Sequence, residues 1–124
     1  MIRVTLDYTD SLGPEADMPA LVEKIAARLT GAGFGGEHVF VCARSLSLYS
    51  GTGGDWETLV GRVVASPATA RSFENGLLAE LMAIAEDHLA ELGARRSIAI
   101  AFDLEAPSPS LARLRPRPSD APGF

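Results

Sequence analysis

Apolar and polar positions alternate from Ile2 to Tyr8, with Ile2, Val4, Leu6 and Tyr8 set against Arg3, Thr5 and Asp7. A period of two predicts a half-buried strand. Asp10-Ser11-Leu12-Gly13-Pro14 breaks that pattern with turn-forming residues. Leu21, Val22, Ile25, Ala26 and Leu29 then recur at helical spacing, with Lys24 and Arg28 opposite. Asp17 stands where a helix cap is expected. Pro19 falls in the first turn, where a missing N–H has no helical partner anyway. Gly31, Gly33, Gly35 and Gly36 stop the helix.

His38 to Tyr49 predicts a second strand, long enough to bend. Gly51-Thr52-Gly53-Gly54-Asp55 reads as a surface turn dividing the chain. Thr58 to Ala65 predicts a third strand, with Gly61 a candidate bulge. Ser66-Pro67-Ala68-Thr69 ends it. A long helix is expected from Ser72 to Leu92, striped by Phe73, Leu77, Leu78, Leu81, Met82, Ala85, His88, Leu89 and Leu92, and stopped by Gly93. Ile98, Ile100, Phe102 and Leu104 alternate through a fourth strand, Ser97 to Glu105. The order is strand–helix–strand, twice. Right-handed crossovers make the strands of each unit parallel. The expected fold class is therefore α/β, more fully α+β: two β-α-β units forming a four-stranded mixed sheet with two helices on one face. The opposite sheet face is left uncovered and moderately apolar, which predicts a partner subunit there.

The length of 124 residues fits one domain, expected over 1–105, followed by a Pro/Arg-rich tail over 106–124. The net charge of −5 disfavours nucleic acid as a partner. The tail runs the other way, with Arg113, Arg115 and Arg117 against Asp120. Cys42 is the one cysteine, so no intrachain disulfide or cysteine metal site can form, and its strand position suggests a small buried hydrophobe. No secretory pattern opens the chain and no apolar run approaches the roughly 18 residues of a membrane span. A cytoplasmic location without membrane contact is expected. No His/Asp/Glu spacing points to a metal, and nothing points to a cofactor.

The order Thr9-Asp10, Glu15-Ala16-Asp17-Met18-Pro19, Arg71-Ser72, Ala99-Ile100-Ala101-Phe102-Asp103-Leu104 and Ser108-Pro109-Ser110-Leu111 resembles the tautomerase superfamily, in its 5-carboxymethyl-2-hydroxymuconate isomerase branch. The resemblance covers about residues 2–115. It implies two β-α-β units, a homotrimer closed by its sheets, and a small-molecule ligand held in a pocket between subunits. In that family an exposed N-terminal proline is the base. Here the residue after Met1 is Ile2, too bulky for ordinary methionine removal, so Met1 is expected to stay.

Isomerisation by proton transfer needs a base and a cation for the developing enolate. Arg44, late in the second strand, and Arg71, just before the second helix, are the cations the resemblance supplies, and arginine clamps carboxylates bidentately. Each could equally be a surface ion pair. Met1 could act as base through its primary amine, or with Ile2 could simply line or plug the cavity. His38 is a candidate substitute base, with a solvated side chain the alternative. Arg3 and Tyr49 complete the candidate ligand contacts, Tyr49 and Trp56 being equally suited to subunit packing. His88 suits packing better than ligation, and Asp7 suits a satisfied carboxylate better than a base. The expected function is isomerisation of a small enolisable or anionic substrate. The alternatives are a non-catalytic ligand-binding trimer or a biosynthetic-pathway protein with altered chemistry.

Overall fold

In a computed structural model, the structure describes residues 1–34, 36–47 and 56–105. Four strands form one sheet: β1 Ile2–Thr9, β2 Val39–Leu46, β3 Glu57–Val64 and β4 Ile98–Glu105. Their order is β2-β1-β3-β4, with β1 parallel to β2, β3 parallel to β4, and the two central strands antiparallel. This is the mixed sheet that two side-by-side β-α-β units require. The tail from 106 onward and Tyr49 lie outside the described residues.

The strand period of two sorts the sheet into two faces. Ile2, Val4 and Leu6 are fully buried, as are Leu59 and Val63. They meet the stripes of α2, Met18–Thr30, and α4, Leu78–His88, through Leu21, Ile25, Leu29, Leu81 and Ala85. Each fully buried aliphatic side chain contributes about 1.5–3 kcal/mol. The same register puts Arg3, Thr5 and Asp7 on the other face. There they neighbour Phe40, Cys42 and Arg44 on one side and Val64, Arg62 and Val60 on the other. Among the described residues that face carries no helix. Phe40 and Leu46 stand exposed on it, and two ion pairs cross it, Arg44–Asp7 and Arg62–Glu105. Cys42 belongs to this face and is half-buried, so it is not the core residue expected of it.

Several local readings need correction. The break after β1 is itself helical: a 3-10 turn at Asp10–Leu12 runs into α1, Gly13–Ala16, and buries Leu12. Asp17 does cap α2, its side chain accepting from Ala20 N, but in the left-handed conformation (φ 47°). His88 holds that conformation from across the core. Its Nε2 lies 2.6 Å from the Ala16 carbonyl and its Nδ1 2.8 Å from Lys24 Nζ. An ammonium can only donate, so Nδ1 accepts and Nε2–H donates to the carbonyl. Gly61 is no bulge; it pairs in regular register between Leu6 and Phe102. A Cβ there would overlap the Phe102 ring, so close packing explains this glycine.

The second crossover starts five residues before its expected point. Ser66 caps it, accepting from Thr69 N, and Pro67 occupies the first turn of α3, Pro67–Ser72. A Ser-Pro pair signals a strand end and a helix start alike, and here it does both. A π-turn at Phe73–Leu77 separates α3 from α4, and a break at Leu89 separates α4 from α5, Ala90–Gly93.

Candidate active site

The parallel pairing of β1 with β2 decides what surrounds the amino terminus. Ile2 lies opposite Val39, and the Ile2 N–H donates to the His38 carbonyl at 2.8 Å. The segment preceding β2 therefore lies beside Met1, and the α-amine forms an ion pair with Glu37. Glu37 and His38 also line an open cleft of about 530 Å³, with Leu29, Phe34 and Val39 among its walls. The Phe34 ring stacks on Phe73 at a centroid distance of 6.0 Å, tying this loop to the π-turn. β3 runs antiparallel and finishes opposite Arg3, so α3 departs from the same end of the sheet.

The structure brings some of the anticipated residues together and separates others. Met1 and His38 share the amino-terminal end of the sheet with α3, which carries Arg71. Arg71 lies inside α3, in its last turn, and not ahead of a helix as expected. At that helix start Ser66 already accepts from the Thr69 N–H through its hydroxyl and from the Ala70 N–H through its carbonyl. Arg71 is exposed and forms no ion pair among the described residues. Ile2 does not line a cleft: its side chain is fully buried against the helices, because the strand period turns it inward. Arg3 points to the uncovered face and is exposed.

Arg44 is the outlier. It sits opposite Asp7, five residues along from Ile2, which is about 16 Å at strand spacing. Its guanidinium grips Asp7 bidentately, Nε to Oδ1 at 2.8 Å and Nη2 to Oδ2 at 3.0 Å. Those hydrogen bonds and the Asp7 charge raise the Arg44 pKa above its ordinary value, so it stays cationic. Within one chain Arg44 and the amine cannot hold the same small molecule.

Most of the chain superposes on each of several solved structures. A 5-carboxymethyl-2-hydroxymuconate isomerase from Deinococcus radiodurans R1 is 24% identical, with a TM-score of 0.73 over 86% of this chain and 83% of that one. A 5-carboxymethyl-2-hydroxymuconate delta-isomerase reaches a TM-score of 0.79 at 13% identity, covering 94% and 89%. A macrophage migration inhibitory factor homologue from Prochlorococcus marinus gives 0.56 at 18% identity, covering 83% and 86%. The chain has the tautomerase fold. The sequence matches no family model and no curated protein.

On this tautomerase fold, Glu37 is the residue that sequence reading missed. It is one acid among many in an acidic chain, and only the strand register brings it to Met1. Among the described residues no cluster of His, Cys, Asp and Glu could hold a metal ion, and no helix is long and apolar enough to cross a membrane.

Proposed function

We propose that the protein is a tautomerase-fold isomerase that moves a proton on a small enolisable carboxylate, working without an N-terminal proline. The observation that carries this reading is the contact between the Met1 amine and Glu37 on the wall of an open cleft. A carboxylate and an ammonium side by side form an acid–base pair: one removes a proton from carbon, the other returns one. Arg71 supplies a cation, unpaired among the described residues, for the substrate carboxylate, and a guanidinium matches it with two parallel N–H donors. His38, exposed beside Glu37, is a second proton carrier within the same wall.

Arg44 and Arg3 would join from a neighbouring subunit. The uncovered sheet face, with Phe40 and Leu46 exposed, supports a homotrimer closed through that face, with the ligand between subunits. Arg44 would then leave or share Asp7 to reach a ligand.

The test is ketonisation of a 2-hydroxymuconate-type dienol. Turnover above the buffer rate, cut about a hundredfold or more by Glu37→Gln and also by Arg71→Ala, is the expected result. A rate equal to buffer for the intact protein removes the enzyme reading for this substrate class. The competing reading is a ligand-binding trimer without catalysis. It is favoured by one observation: the Met1 amine, which stands where the family's base would be, is already engaged by Glu37. Calorimetric binding of the dienol's keto form, with no turnover of the dienol, would select it.

A further inference from the structure

We propose that Asn75 is a site of spontaneous deamidation in the folded protein, which converts the π-turn cleft between α2 and α4 from neutral to acidic at that wall. The inference does not rest on the isomerase reading. Asn75 is the only carboxamide side chain in the chain, there being no glutamine and no second asparagine. It is exposed, it precedes Gly76, and both lie in the π-turn. Gly76 has φ 133° and ψ −19°, a conformation that an L side chain rarely adopts. A Cβ there would meet nothing within 4 Å, so the backbone conformation and not crowding calls for glycine.

The chemistry follows from this pairing. The Gly76 amide nitrogen, losing its proton, attacks Asn75 Cγ; a C–N bond closes a five-membered imide and the side-chain nitrogen departs as ammonia. Water then opens the ring at either carbonyl, giving aspartate or isoaspartate, the net change being water in and ammonia out. Glycine leaves the attacking nitrogen unshielded by a side chain. The reaction needs Asn75 to rotate out of helical ψ. The π-turn is where this helix already departs from regular geometry, and Asn75 is exposed there.

The product matters because of its neighbours. Asn75 and Gly76 line a cleft of about 420 Å³ with Arg28, Phe34, Ser72 and Glu80. Arg28 Nε donates to Glu80 at 2.8 Å, bridging α2 and α4. A new carboxylate on the same wall competes with Glu80 for Arg28. Isoaspartate also lengthens the main chain by one carbon in the turn that begins with Phe73, which is buried and stacked on Phe34.

Ageing the intact folded protein at mildly alkaline pH tests this, with intact mass, peptide mapping and isoaspartyl methyltransferase labelling as readouts. A one-dalton gain is expected on the peptide carrying Asn75, as a mixture of aspartate and isoaspartate, and it should be absent from Asn75→Ser. The folded rate should lie within about tenfold of the urea-unfolded chain, a local opening cost of no more than about 1.4 kcal/mol. A folded protein that keeps its mass while the unfolded chain gains it would overturn the proposal. So would a gain that survives in Asn75→Ser, or no gain in either state.

Discussion

The two ends of the sheet are built on opposite plans. At the far end, Thr9 is buried, its hydroxyl donating to Glu57 at 2.6 Å and accepting from the Thr58 N–H at 3.2 Å. Ser11 adds contacts to both Glu57 oxygens at 2.9 and 2.7 Å. Arg96 donates to the Ser11 carbonyl at 3.2 Å and, with Arg95, pairs with Glu15. At the amino-terminal end the Met1–Glu37 ion pair and the Ile2–His38 hydrogen bond hold the strand end, Arg62 pairs with Glu105 on the open face, and a cleft stays open along Glu37 and His38. The first end pairs its charged groups with one another, beside a cleft of about 380 Å³ lined by Trp56, Arg96 and Ile98 among others. The second leaves charge and space available, which is what binding a small anion needs.

The largest effect that sharpens this contrast concerns the apolar anchor of the open end. Ile2→Ala should cost about 2–5 kcal/mol, read as a lower denaturation midpoint at unchanged slope. A loss under about 1 kcal/mol would mean that the strand end is loose and that Ile2 is free to face a ligand.

Glu57→Gln should follow, at about 1–2 kcal/mol near neutral pH, from the weakened hydrogen bonds of a charged acceptor. The Thr9 hydroxyl, Ser11 and the Arg96 charge hold the Glu57 carboxyl below its ordinary range, against the opposing effect of burial. A depressed folded pKa contributes stability above the unfolded pKa of about 4.3, and that contribution disappears as pH falls through the folded value. Urea titrations across acid pH should therefore show wild type and Glu57→Gln converging below about pH 4. A gap that stays constant with pH would break the idea that charge holds the far end closed.

Glu37→Gln should cost no more than about 1 kcal/mol, because the pair is partly solvated. Its clearer effect is chemical: acylation of the Met1 α-amine should speed up once the carboxylate no longer occupies it. Arg71→Ala should change stability least, within about 0.5 kcal/mol, since it is exposed and joins no ion pair among the described residues. A substantial loss of stability in Arg71→Ala would place it in the structural class of Arg96.

Much of the architecture was legible in the residues because each strand and helix buries one face, and burial imprints its period on the sequence. The β1 alternation, the Leu21–Ile25–Leu29 stripe and the Asp17 cap all appear where the pattern put them. The start of the second crossover was misplaced because Ser-Pro signals both a stop and a start. Gly61 was misread because its neighbour Phe102 is distant in sequence and close only through β3–β4 pairing. The candidate site was less legible still. Arg44 and Arg71 looked equivalent as cations, yet register commits one to Asp7 and leaves the other exposed on a helix.

Local pattern by itself determined the strand–helix–strand order of the two β-α-β units and the inward faces of β1 and β4, since these follow from periods of two and 3.6. Tertiary structure alone decided which strands neighbour one another, that Glu37 meets the amino terminus, and that Thr9, Ser11 and Arg96 converge on and around Glu57. Those contacts join residues many positions apart, and their energies depend on distance and direction, which a one-dimensional pattern of polarity does not encode.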